Sequence, residues 1–146
     1  MTAQRPALVA IDPDGEDANR IGRLPDGRQF FLTNPFHPGT IEGGRRHFAA
    51  QYLFDPAGGL LDARIEEVGL NDDGPIDEEL LDQWLAALGE SSHERIEVQP
   101  FEVSRLGHRF GLIASYQDDG DYWTVEVQPG NYMAFFQPWD SGSYDT

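Results

Sequence analysis

The side chains that could do chemistry in this chain are four histidines, 26 acids and a scatter of serines. There is no cysteine, which excludes disulfides, thiolate zinc sites and a cysteine nucleophile together. His37, His47, His93 and His108 stand at no helical or zinc-finger ligand spacing. His47 and His108 both open strand-like segments and are the pair that could converge; otherwise the histidines read as exposed or strand-end residues. Acyl transfer needs a serine presented on a sharp turn, as in Gly-x-Ser-x-Gly. Ser104 and Ser115 lie in strand-like segments without that turn. Acids are so abundant that a catalytic carboxylate pair cannot be singled out, because almost any fold would bring two within ~5–10 Å.

The acidic run Asp12-Pro13-Asp14-Gly15-Glu16-Asp17 invites comparison with a calcium loop. Such a loop needs oxygen ligands at alternate positions before its glycine and a Glu six residues after it. Counted back from Gly15 the first ligand position is Ala10, and from Gly74 it is Gly69. From Gly120 the count gives Ser115, Gln117 and Asp119 with Glu126 last, still without an acid in first place. All three read as turns. Gly43-Gly44 lacks the Lys-Ser/Thr of a phosphate loop and precedes no helical pattern. Phe30, Phe31, Trp123, Phe135, Phe136 and Trp139 could stack on a ligand, yet aromatics alternating in strands are mostly core.

The elements that would position these residues are mostly strands. The chain is organised around His47 to Phe54, the turn Asp55-Pro56-Ala57-Gly58-Gly59, and Leu60 to Val68. Side chains alternate across a strand, so Phe48, Ala50, Tyr52 and Phe54 share one face, and Leu61, Ala63 and Ile65 share one face of the return strand. Asp62, Arg64 and Glu66 then point the other way, to solvent. Pro-Asp-Gly at 25–27 closes a tight hairpin between Ile21–Leu24 and Arg28–Thr33. Ala7 to Ile11 is a short strand-like piece. Residues 34–44 read as a loop and 69–74 as a polar connector. Pro75 to Leu88 is the one helix, with acids in its first turn, a Leu80-Trp84-Leu88 stripe widened by Leu81 and Leu85, and Gly89 as its cap. That stripe is expected to cover the apolar face of the long hairpin. Arg95 to Val103 slips phase at Pro100, which predicts a bulge or an edge. His108 to Tyr116, Tyr122 to Val127 and Tyr132 to Phe136 complete the strands.

Composition sets the outer bounds. The chain has 146 residues, 39% hydrophobic and 12% aromatic, enough for one domain with a packed core. Its net charge is −16, and its ten basic residues are all arginine. Nucleic-acid binding draws its affinity from clustered cations, so it is not expected. The acidity fits either docking onto a basic partner or plain solubility. No stretch approaches the ~20 apolar residues of a membrane helix, and Ala7–Ile11 is too short for a signal-peptide core. A cytoplasmic location is the expectation.

Three stretches resemble small bacterial proteins labelled formate hydrogenlyase regulatory (HycA-like). They are Ile21-Gly22-Arg23 with Asp26-Gly27-Arg28-Gln29-Phe30-Phe31, then Tyr52-Leu53-Phe54-Asp55 with Gly58 and Asp62, then Phe136-Gln137-Pro138-Trp139-Asp140 with Tyr144-Asp145-Thr146. The motifs are turns and packing residues, spread over most of the chain. The resemblance implies a regulator that acts on an activator protein, with no catalytic site to carry over.

The expectation is thus one α+β domain over 1–146, with less regular ends at 1–19 and 137–146. Its sheet is mainly antiparallel, of about six to eight strands, with the helix at about 75–88 packed on one face. The expected function is regulatory or adaptor, through a protein partner, without catalysis, cofactor or metal. The candidate partner surface is Asp62, Arg64 and Glu66 together with Trp139, Asp140 and Tyr144, the tail aromatics packing at the rim. Two rival readings are an immunity or inhibitor protein covering a basic effector, and a small-ligand-binding domain with a pocket at His47 or His108.

Overall fold

The computed structural model describes residues 4–37, 46–68, 70–71, 74–75, 77–130 and 133–145. In chain order the elements are β1 (Val9–Ile11), β2 (Ile21–Arg23), β3 (Gln29–Thr33), β4 (Phe36–His37), β5 (Arg46–Phe54), β6 (Leu60–Val68), β7 (Leu70–Asn71) and β8 (Gly74–Pro75). Then come helix α1 (Asp77–Ala87), β9 (Ile96–Val98), β10 (Phe101–Arg105), β11 (His108–Gln117), β12 (Tyr122–Gln128) and β13 (Ala134–Phe135). Every pairing among the described residues is antiparallel. The fold is α+β. Gly43-Gly44 and the rest of 38–45, positions 69, 72, 73 and 76, Asn131, Tyr132 and Thr146 lie outside the described residues. No helix among the described residues is long and apolar enough to cross a membrane.

The first sheet grows from turn chemistry. Gly27, at φ 93°, closes β2–β3, with Leu24 and Arg28 joined N–H to carbonyl at 2.8 Å. Gly58, at φ 100°, closes β5–β6, where Asp55 Oδ1 accepts from the backbone of Ala57 and Gly59. A Cβ at Gly58 would lie 2.7 Å from the Glu97 carbonyl, so the turn seats directly on β9. Within the sheet β5 is central. It pairs with β3 over Ala50–Phe54 and with β4 over Arg46–His47 on one edge, and with β6 on the other. The β5–β6 ladder slips at Leu53/Phe54, pairing Phe54 with Leu60. That bulge corrects the expected register: Leu60 packs on the core and Leu61 is 55% exposed.

Four further strands form a second sheet, in the order β10-β11-β12-β13, and β1 pairs with β9 separately. The expected single sheet is therefore divided. Pro100 marks the division: β9 pairs with β1, and after Pro100 the chain enters β10 and pairs with β11. The phase slip in the sequence is a change of sheet, which a proline without a ladder N–H accommodates. The main core lies between the sheets, joining Phe31, Ala50, Tyr52 and Phe54 to Leu112, Val125, Val127 and Phe135, with Val9, Ile11, Ile96 and Val98 of the β1–β9 pair. Phe101 meets Tyr52 and Phe54 edge-on, centroids 4.7 and 5.5 Å apart.

The helix therefore covers the other face. Its Leu81 and Trp84, flanked by Leu80, Leu85 and Leu88, pack on Leu24, Phe30, Leu32 and Ala49, with Leu53 and Val68 at the margin. The expectation that α1 covers Phe48, Tyr52 and Phe54 is corrected, because the second sheet occupies that face. Phe30-Phe31-Leu32 is apolar on successive residues, and β3 is buried throughout. Such a strand needs a cover on each side. The helix ends at Gly89, φ 84°, as its sequence predicts.

Candidate functional site

The exposed side of β6 follows from its period of two. Asp62, Arg64 and Glu66 share the helix-bearing face of the first sheet, beyond the helix, and all three are exposed. The Arg64 guanidinium lies 4.1 Å from the Trp84 ring centroid, so the cation stacks on the helix while its neighbours stay in water. Among the described residues the strand pairs on one edge, with β5. Charged side chains along such an edge oppose indiscriminate strand addition.

The tail residues lie across the first sheet from this row. Trp139 and Tyr144 pack against the main core, which is on the face away from the helix. The tail runs beside β1: Ala10 N–H donates to the Trp139 carbonyl at 2.9 Å, and Asp12 N–H to the Gly142 carbonyl at 3.0 Å. Arg95 clamps it, donating to both Asp12 carboxylate oxygens and to the carbonyls of Asp140 and Ser141. This bond to Arg95 holds the Asp12 carboxyl below its ordinary range. Asp145 bridges back to Ala134, extending the second sheet. The Tyr144 hydroxyl donates to Asp14, and burial with that carboxylate pushes its pKa well up. Asp14 Oδ1 accepts from the backbone of Glu16 and Ala18, so the acidic run is the turn its spacing implies.

A third arrangement collects the histidines that sequence spacing left scattered. His37 pairs with Arg46 across the β4–β5 ladder, on the face toward the second sheet. His108, first residue of β11, comes to His37 with ring centroids 4.8 Å apart and to Phe48 at 5.6 Å. His47 is one residue along β5 from Arg46 and faces the helix side, its ring 6.3 Å from Phe36. The convergence is therefore of His37 with His108, while strand alternation turns His47, the other candidate, to the opposite face. Nothing in the sequence pattern signals it, because residues 37 and 46 meet only through the register of a two-residue strand.

Arg46 Nη1 lies 3.0 Å from His108 Nε2. A guanidinium only donates, so Nε2 accepts and the ring carries its proton on Nδ1. Arg46 also donates through Nε and Nη2 to Glu67, at 3.1 and 2.5 Å. Burial, with His37 and Arg46 nearby, holds the His108 pKa below its ordinary value, opposed by Glu67. Beside the two histidines is a cleft of about 370 Å³, lined by His37, Gly107, His108, Arg109, Ile113, Ser115, Gln128 and Pro129. Arg109 is held by Glu102, and the Gln128 amide donates to Glu126 at 3.2 Å. Among the described residues no group of three or more His, Asp or Glu is arranged to hold a metal ion.

Compared with protein-family profiles, with curated proteins and with solved structures, the chain has no match in any of the three.

Proposed function

We propose that this is a non-enzymatic regulatory or adaptor protein that works by docking onto another protein, in keeping with its resemblance to formate hydrogenlyase regulatory proteins. The observation that carries the reading is the exposed row Asp62, Arg64 and Glu66 on an edge strand beside the helix. The charge budget supports it. Arg20, Arg23, Arg28, Arg46, Arg95 and Arg109 are each held by an acid of the same chain. With cations so occupied and a net charge of −16, the unpaired excess on the surface is acidic. A partner of complementary, basic surface is the fit, and long-range attraction would speed the encounter.

The test is affinity capture from the native organism with wild-type protein and an Asp62→Asn/Glu66→Gln double variant. One specific partner, retained at moderate salt by wild type and weakened in the variant, is the expected result. Capture of no partner across growth conditions, or equal capture by both proteins, overturns the docking face. A basic toxin or nuclease as the captured partner would assign the chain to the immunity or inhibitor class instead.

A further inference from the structure

We propose that the cleft beside His37 and His108 binds a small oxyanion, a phosphoryl or carboxylate group, and takes up a proton as it does so. The proposal is independent of the docking face on β6. It begins with an exclusion: the chain has 26 acids, yet among the described residues lining the cleft there is no Asp or Glu. By contrast, the open cavity beside the N-terminal turn is lined by Asp12, Asp14 and Glu16. The cleft instead gathers cations and donors. His37, His108 and Arg109 line it with the Ser115 hydroxyl and the Gln128 amide, and Arg46 stands against His108.

The charges facing His108 can be followed element by element. From β4 comes His37, from β5 Arg46, and from β6 Glu67, which is bound to Arg46. Arg105 of β10 is its ladder partner, with Nη1 donating to the Ser104 carbonyl at 2.9 Å. Arg109 is its chain neighbour, paired with Glu102 of β10. Glu126 of β12 engages Gln128. Three arginines stand against three carboxylates, two bound to arginines and a third engaged by an amide, so a proton taken up by His108 tips this balanced set toward an anion.

The Arg46–His108 bond supplies the coupling. With His108 neutral, its Nε2 lone pair takes the Arg46 N–H. Protonation at Nε2 breaks that bond, since both partners then donate, and sets a second positive charge beside the Arg46 guanidinium. An oxyanion in the cleft accepting from the protonated ring would offset the added charge and take up the donor released at His108. The ligand thus favours the protonated ring, and by linkage lower pH favours the ligand.

The test follows the His37 and His108 ring resonances by NMR during titration with inorganic phosphate or malonate, with sodium chloride matching ionic strength. Saturable shifts at both rings are expected, with affinity about tenfold weaker for each pH unit gained above the His108 pKa, and a His108 pKa that rises with ligand. His108→Gln and His37→Gln, each checked for native melting, should bind about tenfold more weakly. Phosphate alone binding assigns a phosphoryl ligand, malonate alone a carboxylate, and both a general oxyanion site. No saturable shift beyond the chloride control, or unchanged affinity in both variants, overturns the proposal.

Discussion

Gln29 shows how a single polar side chain joins two parts of this fold. It is fully buried on β3, and its amide bonds both backbone groups of Glu97 in β9. Nε2 donates to the carbonyls of Asp55 and Glu97 at 3.2 and 3.0 Å, and Oε1 accepts from Glu97 N–H at 2.7 Å. Leucine at this position would fill similar space and leave three backbone groups without that partner. Gln29→Leu is expected to cost about 1–3 kcal/mol, read from urea denaturation midpoints at unchanged slope. A stability equal to wild type would mean that water replaces the amide. His108 gives the second expectation at this scale. Its folded pKa lies below the ordinary 6.5, so the folded state prefers the neutral ring. Its contribution to stability is therefore complete above that value and declines as pH falls below it toward the folded pKa. Melting temperatures followed downward through this window should fall less steeply for His108→Gln than for wild type. Parallel curves would refute the linkage.

Helix α1 is short, and its stability comes from the surface that it covers. Trp84 is 4% exposed, seated on the Phe30, Leu32 and Ala49 face with the Arg64 cation over its ring. Trp84→Ala should cost about 3–5 kcal/mol, measured by denaturant unfolding. Arg64→Ala removes only a partly solvated stack and should cost about 0.5–1 kcal/mol. If the two losses were equal, the stack and not the burial would be holding the helix. Both residues illustrate what was legible in the sequence. The Leu80-Trp84-Leu88 stripe, Gly89 and the turns at Gly27 and Gly58 are local signals, and each marks the element that it predicts. The surface that each element covers is a long-range matter. Phe30-Phe31-Leu32 carried the information that β3 is buried on both faces, yet alternation in the neighbouring hairpin suggested a single apolar face. The change of sheet at Pro100 left a phase slip, a signal shared by bulges and edges. The His37–His108 meeting left none, because it depends on the pairing of two sheets whose strands are far apart in the chain.

At the scale of the whole molecule, charge decides how the fold responds to salt. Two effects of opposite sign compete. Screening weakens the ion pairs of Arg23, Arg28, Arg46, Arg95 and Arg109, which are all partly solvated. Exposed pairs of this kind contribute about 0–1 kcal/mol each, and less as salt rises. Screening also relieves the mutual repulsion of a chain carrying −16, which favours the expanded state at low ionic strength. At ~0.1 M salt the Debye length is ~10 Å, comparable with the spacing between acids on a small surface, so most of the repulsion is removed by then. Buried hydrophobic contacts are little affected over this range, and the Arg20 link to Glu78 and Asp82 is shielded by the burial of its guanidinium. Repulsion acts among all the excess acids, whereas the favourable pairs are few and local. The melting temperature at neutral pH should therefore rise as sodium chloride increases from a few mM to ~0.1 M, and flatten beyond it. A fall over the same range would place the ion pairs above the net charge in stabilising this fold. It would also weaken the case for an uncompensated acidic surface, on which the proposed attraction of a basic partner depends.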